Sequence, residues 1–212
     1  GDWTGFRGPQ RDGVVTGLRL AVDWASRPPR ELWRHPVGQG WSSFAVVGKR
    51  AFTQEQRGGI EVVSCWDITS GEQLWVNETR ERFSEAMGGP GPRATPTFHA
   101  SRIFALGATG QLHCLDAASG NTRWTFYTEG PVRLSPTIAA GKLYAGSDDG
   151  LVYCLNTANG KLEWKYRPGP GKRQIPGNER MVSMWPVRTS VLVRGDVAFC
   201  GAGVFPWEGV YL

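Results

Sequence analysis

Three copies of one eleven-residue phrase constrain this chain more than any other feature. Cys65-Trp66-Asp67 leads through Gly71 to Trp75, Cys114-Leu115-Asp116 through Gly120 to Trp124, and Cys154-Leu155-Asn156 through Gly160 to Trp164. Each copy spans ten positions from Cys to Trp, whereas successive copies begin 49 and then 40 residues apart. A unit of fixed length joined by connections of variable length marks a repeat architecture, in which each module buries its apolar faces against its neighbours.

The third copy shows the unit most clearly. Ser135 to Ala140 reads as a strand, Gly141-Lys142 as a turn and Leu143 to Gly146 as a second strand. Ser147-Asp148-Asp149-Gly150 is rich in turn formers, Leu151 to Leu155 is a third strand, and Lys161 to Tyr166 alternates as a fourth. Four antiparallel strands in about 40 residues make one propeller blade. The expected fold is therefore all-β, a propeller of about three full blades plus two partial ones. A lead-in over 1–29 precedes blade units at 43–79, 96–127 and 135–167 and an incomplete one at 189–212. Residues 30–37, with Trp33 in the tryptophan position, read as the outer strand of a further blade. Leu212 falls where the other copies carry the cysteine, so the last blade is expected to lack its outer strand. That pattern fits an arc of a larger propeller; a composite blade closing a four-bladed ring is the alternative.

Within the phrase, Asp67, Asp116 and Asn156 are placed to bond the amides that follow them, and Gly71, Gly120 and Gly160 to take the positive φ of a tight turn. Trp75, Trp124 and Trp164 offer large flat surfaces and one N–H donor each for docking on an adjacent blade. Cys65, Cys114 and Cys154 hold one equivalent position in successive modules, too far apart for a disulfide, and read with Cys200 as free thiols.

Composition supports this reading and narrows the partners. With 29 Gly, 14 Pro and 10 Trp in 212 residues, the chain favours tight turns and short aromatic-rich strands. No apolar run is long enough to span a membrane as a helix. The net charge of +5 is scattered along the repeats instead of gathered in a run, which argues against a nucleic-acid partner. The chain begins at Gly1 without a basic and apolar leader, so any export signal is expected to have been removed or not included.

Loop lengths separate a fixed face from a variable one. From the repeat tryptophan to the next inner strand the chain runs 10, 21, 12 and 26 residues, while the turns before the second and fourth strands keep one length. In an up-down-up-down blade the variable connections emerge together, and binding usually sits on such loops. Arg93 and Arg133 precede the inner-strand Pro by three residues, and Arg188 precedes Ser190 by two. Side chains so placed are candidates for a partial guanidinium ring that binds an anion at the channel mouth. Local pairing with acids is the competing reading. The longest insert, Pro168 to Pro186, carries Lys172, Arg173 and Arg180 and is expected as an exposed loop.

The phrase, with Ser-Pro-Thr opening the third copy and Gly141 to Tyr153 following, resembles the PQQ-like β-propeller repeat of quinoprotein alcohol dehydrogenases and BamB-type outer-membrane assembly proteins. The likeness runs from Trp33 to Leu212. The opening, Trp3-x-x-Phe6-Arg7-Gly8-Pro9-x-x-Asp12-Gly13, also resembles the lead-in of exported bacterial proteins with such repeats. WD repeats share the period, but Trp66-Asp67 occurs once and lacks a Gly-His partner. The resemblance implies export to the periplasm or cell envelope and a protein or envelope component as partner.

A quinoprotein dehydrogenase of this family holds PQQ between a tryptophan and a vicinal disulfide, beside Ca²⁺ and an Asp base. This sequence has no Cys-Cys pair, and Asp148-Asp149, its adjacent acidic pair in a loop of turn formers, is explained by the turn. His35, His99 and His113 lack metal-ligand spacing, and no Gly-x-Ser-x-Gly elbow or phosphate loop occurs. The expectation is a non-catalytic binding scaffold without cofactor. The alternative is a segment of a PQQ- and calcium-dependent alcohol or sugar dehydrogenase.

Overall fold

The computed structural model describes residues 1–177 and 179–212. Three antiparallel four-stranded sheets form in chain order. The first holds β1 (Ala45–Val47), β2 (Arg50–Arg57), β3 (Ile60–Asp67) and β4 (Gln73–Thr79). The second holds β7 (Thr97–His99), β8 (Arg102–Leu106), β9 (Gln111–Asp116) and β10 (Thr122–Tyr127). The third holds β11 (Thr137–Ala139), β12 (Lys142–Gly146), β13 (Val152–Asn156) and β14 (Leu162–Tyr166). A fourth blade contributes β17 (Leu192–Arg194) and β18 (Val197–Phe199). The sheets do not close into a ring: the chain is an arc of a propeller. Among the described residues the single helix is a 3₁₀ turn at Pro206–Glu208, and no helix is long and apolar enough to cross a membrane.

The core lies between the blades. Phe52, Cys65 and Trp75 of the first blade pack with Ile103, Ala105 and Leu115 of the second. Phe104, Leu112 and Cys114 of the second meet Leu143, Ala145 and Leu155 of the third, and Tyr144 and Cys154 of the third meet Val187, Val191 and Ala202. The cysteines are free, and burial first of all pushes the Cys65 and Cys114 thiols up to about 11, so they serve as small apolar side chains.

The phrase forms the same hairpin each time. Cys65, Cys114 and Cys154 pair across the ladder with Trp75, Trp124 and Trp164. Asp67 Oδ1 accepts the amides of Thr69 and Ser70, Asp116 Oδ1 those of Ala118 and Ser119, and Asn156 Oδ1 that of Ala158. The closing glycines have φ of +75°, +75° and +71°. Each supports an indole from the preceding module: a Cβ on Gly120 or Gly160 would lie 2.6 Å from the ring of Trp75 or Trp124. Those indoles donate to the carbonyls of Ala117 and Thr157, at 3.2 and 3.1 Å.

Trp33 repeats this docking on Gly71, with its N–H 2.9 Å from the Ile68 carbonyl. Residues 30–37, expected as an outer strand, carry no strand. The indole is placed by its fit to the turn rather than by a β-ladder. The insert expected as an exposed loop also differs, since β15 (Gln174–Gly177) and β16 (Arg180–Ser183) fold there as a hairpin; Asn178 lies outside the described residues. A smaller hairpin, β5 (Ser84–Glu85) and β6 (Gly89–Pro90), forms in the connection from the first blade to the second.

Candidate functional site

The two hairpins emerge on the variable-loop face and approach each other there. Between them lies a cavity of about 230 Å³, bordered by Met87 on one side and Val182 on the other, with Arg133, Asp148, Arg180 and Arg188 below and beside them. A larger cleft of about 640 Å³ continues past Arg82, Phe83, Glu179 and Arg180. Met87, at the tip of the smaller hairpin, is fully exposed.

Arg93, Arg133 and Arg188 are brought together by two acids. Arg93 Nε donates to Glu85 Oε1 at 3.1 Å, and Arg133 Nη1 reaches Glu85 Oε2 at 2.5 Å. Arg133 Nε and Arg188 Nε then bind opposite oxygens of Asp148, both at 2.8 Å, and Arg188 Nη2 adds a second bond at 3.0 Å. The result is a continuous chain, Arg93–Glu85–Arg133–Asp148–Arg188. Anion binding and local pairing were the two readings of these arginines, and here each arginine has an acidic partner. Three guanidiniums against two carboxylates still leave one positive charge.

Exposure rises along the chain. The Arg93 side chain is 9% exposed, Arg133 16% and Arg188 35%. Arg93 is committed to the scaffold: it also donates to the carbonyls of Gly89, Pro90 and Gly91, and its guanidinium lies 5.2 Å from the Phe83 ring centre. It thereby fixes the smaller hairpin. Arg188, Arg180 and the open side of Arg133 are the groups a ligand could reach. Burial opposes ionisation of Glu85, but the hydrogen bonds and charges of Arg133 and Arg93 outweigh it and hold the carboxyl below its usual range. Burial likewise disfavours the Arg133 cation, and Asp148 and Glu85 overcome it, raising its pKa.

Asp148 is the residue that sequence reasoning missed. Expected as a turn former, its side chain is 1% exposed and joins two blades. Its amide and carbonyl are used as well, bonding the Pro131 carbonyl and the Ser183 amide. Asp149 turns the other way. Its Oδ1 accepts the Leu151 amide and its Oδ2 the Tyr153 hydroxyl, at 2.8 and 2.6 Å, while burial raises its pKa. The adjacent acids therefore serve separate structural partners and do not converge on one cation. Among the described residues no group of three or more His, Cys, Asp or Glu side chains is placed to hold a metal. An available signal was the pairing of this Asp-Asp with arginines fifteen residues before and forty after it, which only a blade register would connect.

Fold and site together define a class: an arc of PQQ-like propeller blades whose loop face carries a basic cleft. Residues 59–200 match the family model described as outer membrane protein assembly factor BamB, and the chain belongs to that family. Among solved structures, BamB from Moraxella catarrhalis is similar over 77% of this chain and 42% of its own, with TM-score 0.50 and 20% identity. Quinohemoprotein alcohol dehydrogenase from Comamonas testosteroni is similar over 64% and 22%, with TM-score 0.52 and 18% identity. The computationally designed Ika4 protein is similar over 82% and 92%, with TM-score 0.55 and 14% identity. At these identities the likeness is one of fold, and the chain spans less than half the length of the natural structures. A search of curated proteins found no match.

Proposed function

We propose that this chain is part of a non-catalytic propeller of the cell envelope that binds a protein or envelope component through its loop face. The reading rests on one observation: two inserted hairpins and the Arg93–Glu85–Arg133–Asp148–Arg188 chain converge on a single cleft with a surplus of positive charge. The paired acids pre-orient the guanidiniums, which lowers the ordering cost of binding. Arg188 and Arg180 then offer forked donors to a carboxylate or other anion, and the exposed Met87 offers an adaptable apolar contact. The BamB family description supports an envelope setting and a protein partner. No cofactor enters this proposal.

The test places a photo-crosslinking residue at Met87 and, separately, at Lys49 on the opposite turn, in cells expressing the protein. A discrete adduct from Met87, absent from Lys49 and lost with Arg180→Glu and Arg188→Glu, is the expected result. Equal labelling from both faces would refute it. The dehydrogenase alternative is tested by adding PQQ and Ca²⁺ and following dye reduction with alcohols or sugars; turnover would replace the scaffold reading with a catalytic one.

A further inference from the structure

The N-terminal lead-in is not a tail. Trp3 pairs with Val46 of the innermost strand β1 through two main-chain hydrogen bonds, 2.6 and 2.7 Å, and Asp2 accepts the Gly48 amide at the next turn. The Thr4 carbonyl accepts the Phe98 amide of β7, the innermost strand of the second blade, at 2.7 Å. Arg11 then donates to the Pro136 carbonyl at 2.8 Å and the Ser135 carbonyl at 3.4 Å, where the third blade begins, and to Ser190 Oγ of the fourth at 3.2 Å. One segment of about ten residues thus touches the innermost part of every blade and runs as a chord across the open arc.

Its shape is specified by its own residues. Gly8, at φ +78°, lies under the Trp3 ring, where a Cβ would come within 2.7 Å, and Gly5 packs against Thr97. Arg7 and Arg11 hold positive φ of 62° and 58°. Arg11 has no acid partner among the described residues, so its partly buried charge is met by main-chain carbonyls and a hydroxyl alone. Residues 12–32, by contrast, are all exposed, and among the described residues the hydrogen bonds of 14–32 reach no further along the chain than Asp12 and Arg34. The chain then rejoins the fold at Trp33.

We propose that the inner-strand surface is a peptide-binding site and that residues 2–13 are its resident ligand, held in cis by a slack arm. Strand addition at Val46 supplies register, the Arg11 fork joins the third and fourth blades, and the small residues at 5 and 8 allow the close approach. A ligand entering along the propeller axis must therefore displace this segment first. This site is distinct from the loop-face cleft and does not depend on its reading.

The test inserts a protease site between Leu20 and Ala21 of the full chain and cuts it. The expected result is that fragment 1–20 stays with the body through size exclusion at micromolar concentration. Arg11→Ala should weaken retention about tenfold to a hundredfold, as loss of a charge-assisted hydrogen bond would, and Trp3→Ala should weaken it by removing the ring that shapes the segment over Gly8. Should dilution release the fragment and lower the melting midpoint, a synthetic 1–13 peptide restores that midpoint. Separation of the fragment from a body of unchanged midpoint would overturn the proposal. So would failure of the peptide to restore a lowered midpoint, or retention of the Trp3→Ala and Arg11→Ala fragments as tightly as the parent.

Discussion

Replacing Gly120 by alanine tests the indole-on-glycine joint between blades. The backbone there has φ +75°, which costs an L-residue about 1–2 kcal/mol. The added Cβ would also lie 2.6 Å from two atoms of the Trp75 ring, a side chain 9% exposed within the core between the first and second blades, so it must displace packed structure. Overpacking adds about 1–3 kcal/mol, giving a total of about 2–5 kcal/mol. Gly48 has φ +57° and nothing within 4 Å of its would-be Cβ, so Gly48→Ala carries the backbone cost alone. Trp75→Ala removes the ring and costs about 3–5 kcal/mol. In that background the clash is gone, and Gly120→Ala should cost no more than Gly48→Ala. The double mutant is therefore more stable than the sum of the singles by about 1–3 kcal/mol, read by urea unfolding at equal m. A coupling below about 0.5 kcal/mol, or equal costs for Gly120→Ala and Gly48→Ala in the parent, would refute the joint.

Asp148→Asn should destabilise the protein by about 3–5 kcal/mol, because it leaves the Arg133 and Arg188 cations short of their buried partner; calorimetry at neutral pH would read this as a lowered melting midpoint. Glu61 should make stability fall as pH rises. Burial chiefly, and Glu81 secondarily, push its carboxyl up to about 7 against the opposing Ala108 amide and Arg93, and its Oε1 has no partner among the described residues. Because the folded state holds the proton more tightly, stability present at pH 4.5 is lost through pH 7, by on the order of 2–3 kcal/mol. Glu61→Gln should flatten the pH 5 to 8 difference in urea midpoint; an undiminished difference would place its origin elsewhere.

The repeat phrase by itself determines the fold class, because its parts act locally. An Asp or Asn accepting the next amides and a glycine at positive φ close the same hairpin wherever they recur, as at 67–71, 116–120 and 156–160. Strand alternation likewise gave the blade order. The three arginines were visible too, from their places two or three residues before each inner strand. Tertiary structure alone decided what they touch. Glu85 lies eight residues from Arg93 but forty-eight from Arg133, and Asp148 gathers Arg133 and Arg188 across blades, so no local pattern could assign the pairs. The hairpin within the longest insert was illegible for a related reason: Gln174 to Ser183 has Pro, Gly and charge in place of alternation, and the chain-distant Asp148 carbonyl binds Ser183. Trp33 and the lead-in make the same point. Neither lies in a named strand, and each is held by surfaces that exist only once separate blades have packed. Sequence determines structure here wherever a group meets partners a few residues away; the long-range ion pairs and the lead-in segment wait on the assembled arc.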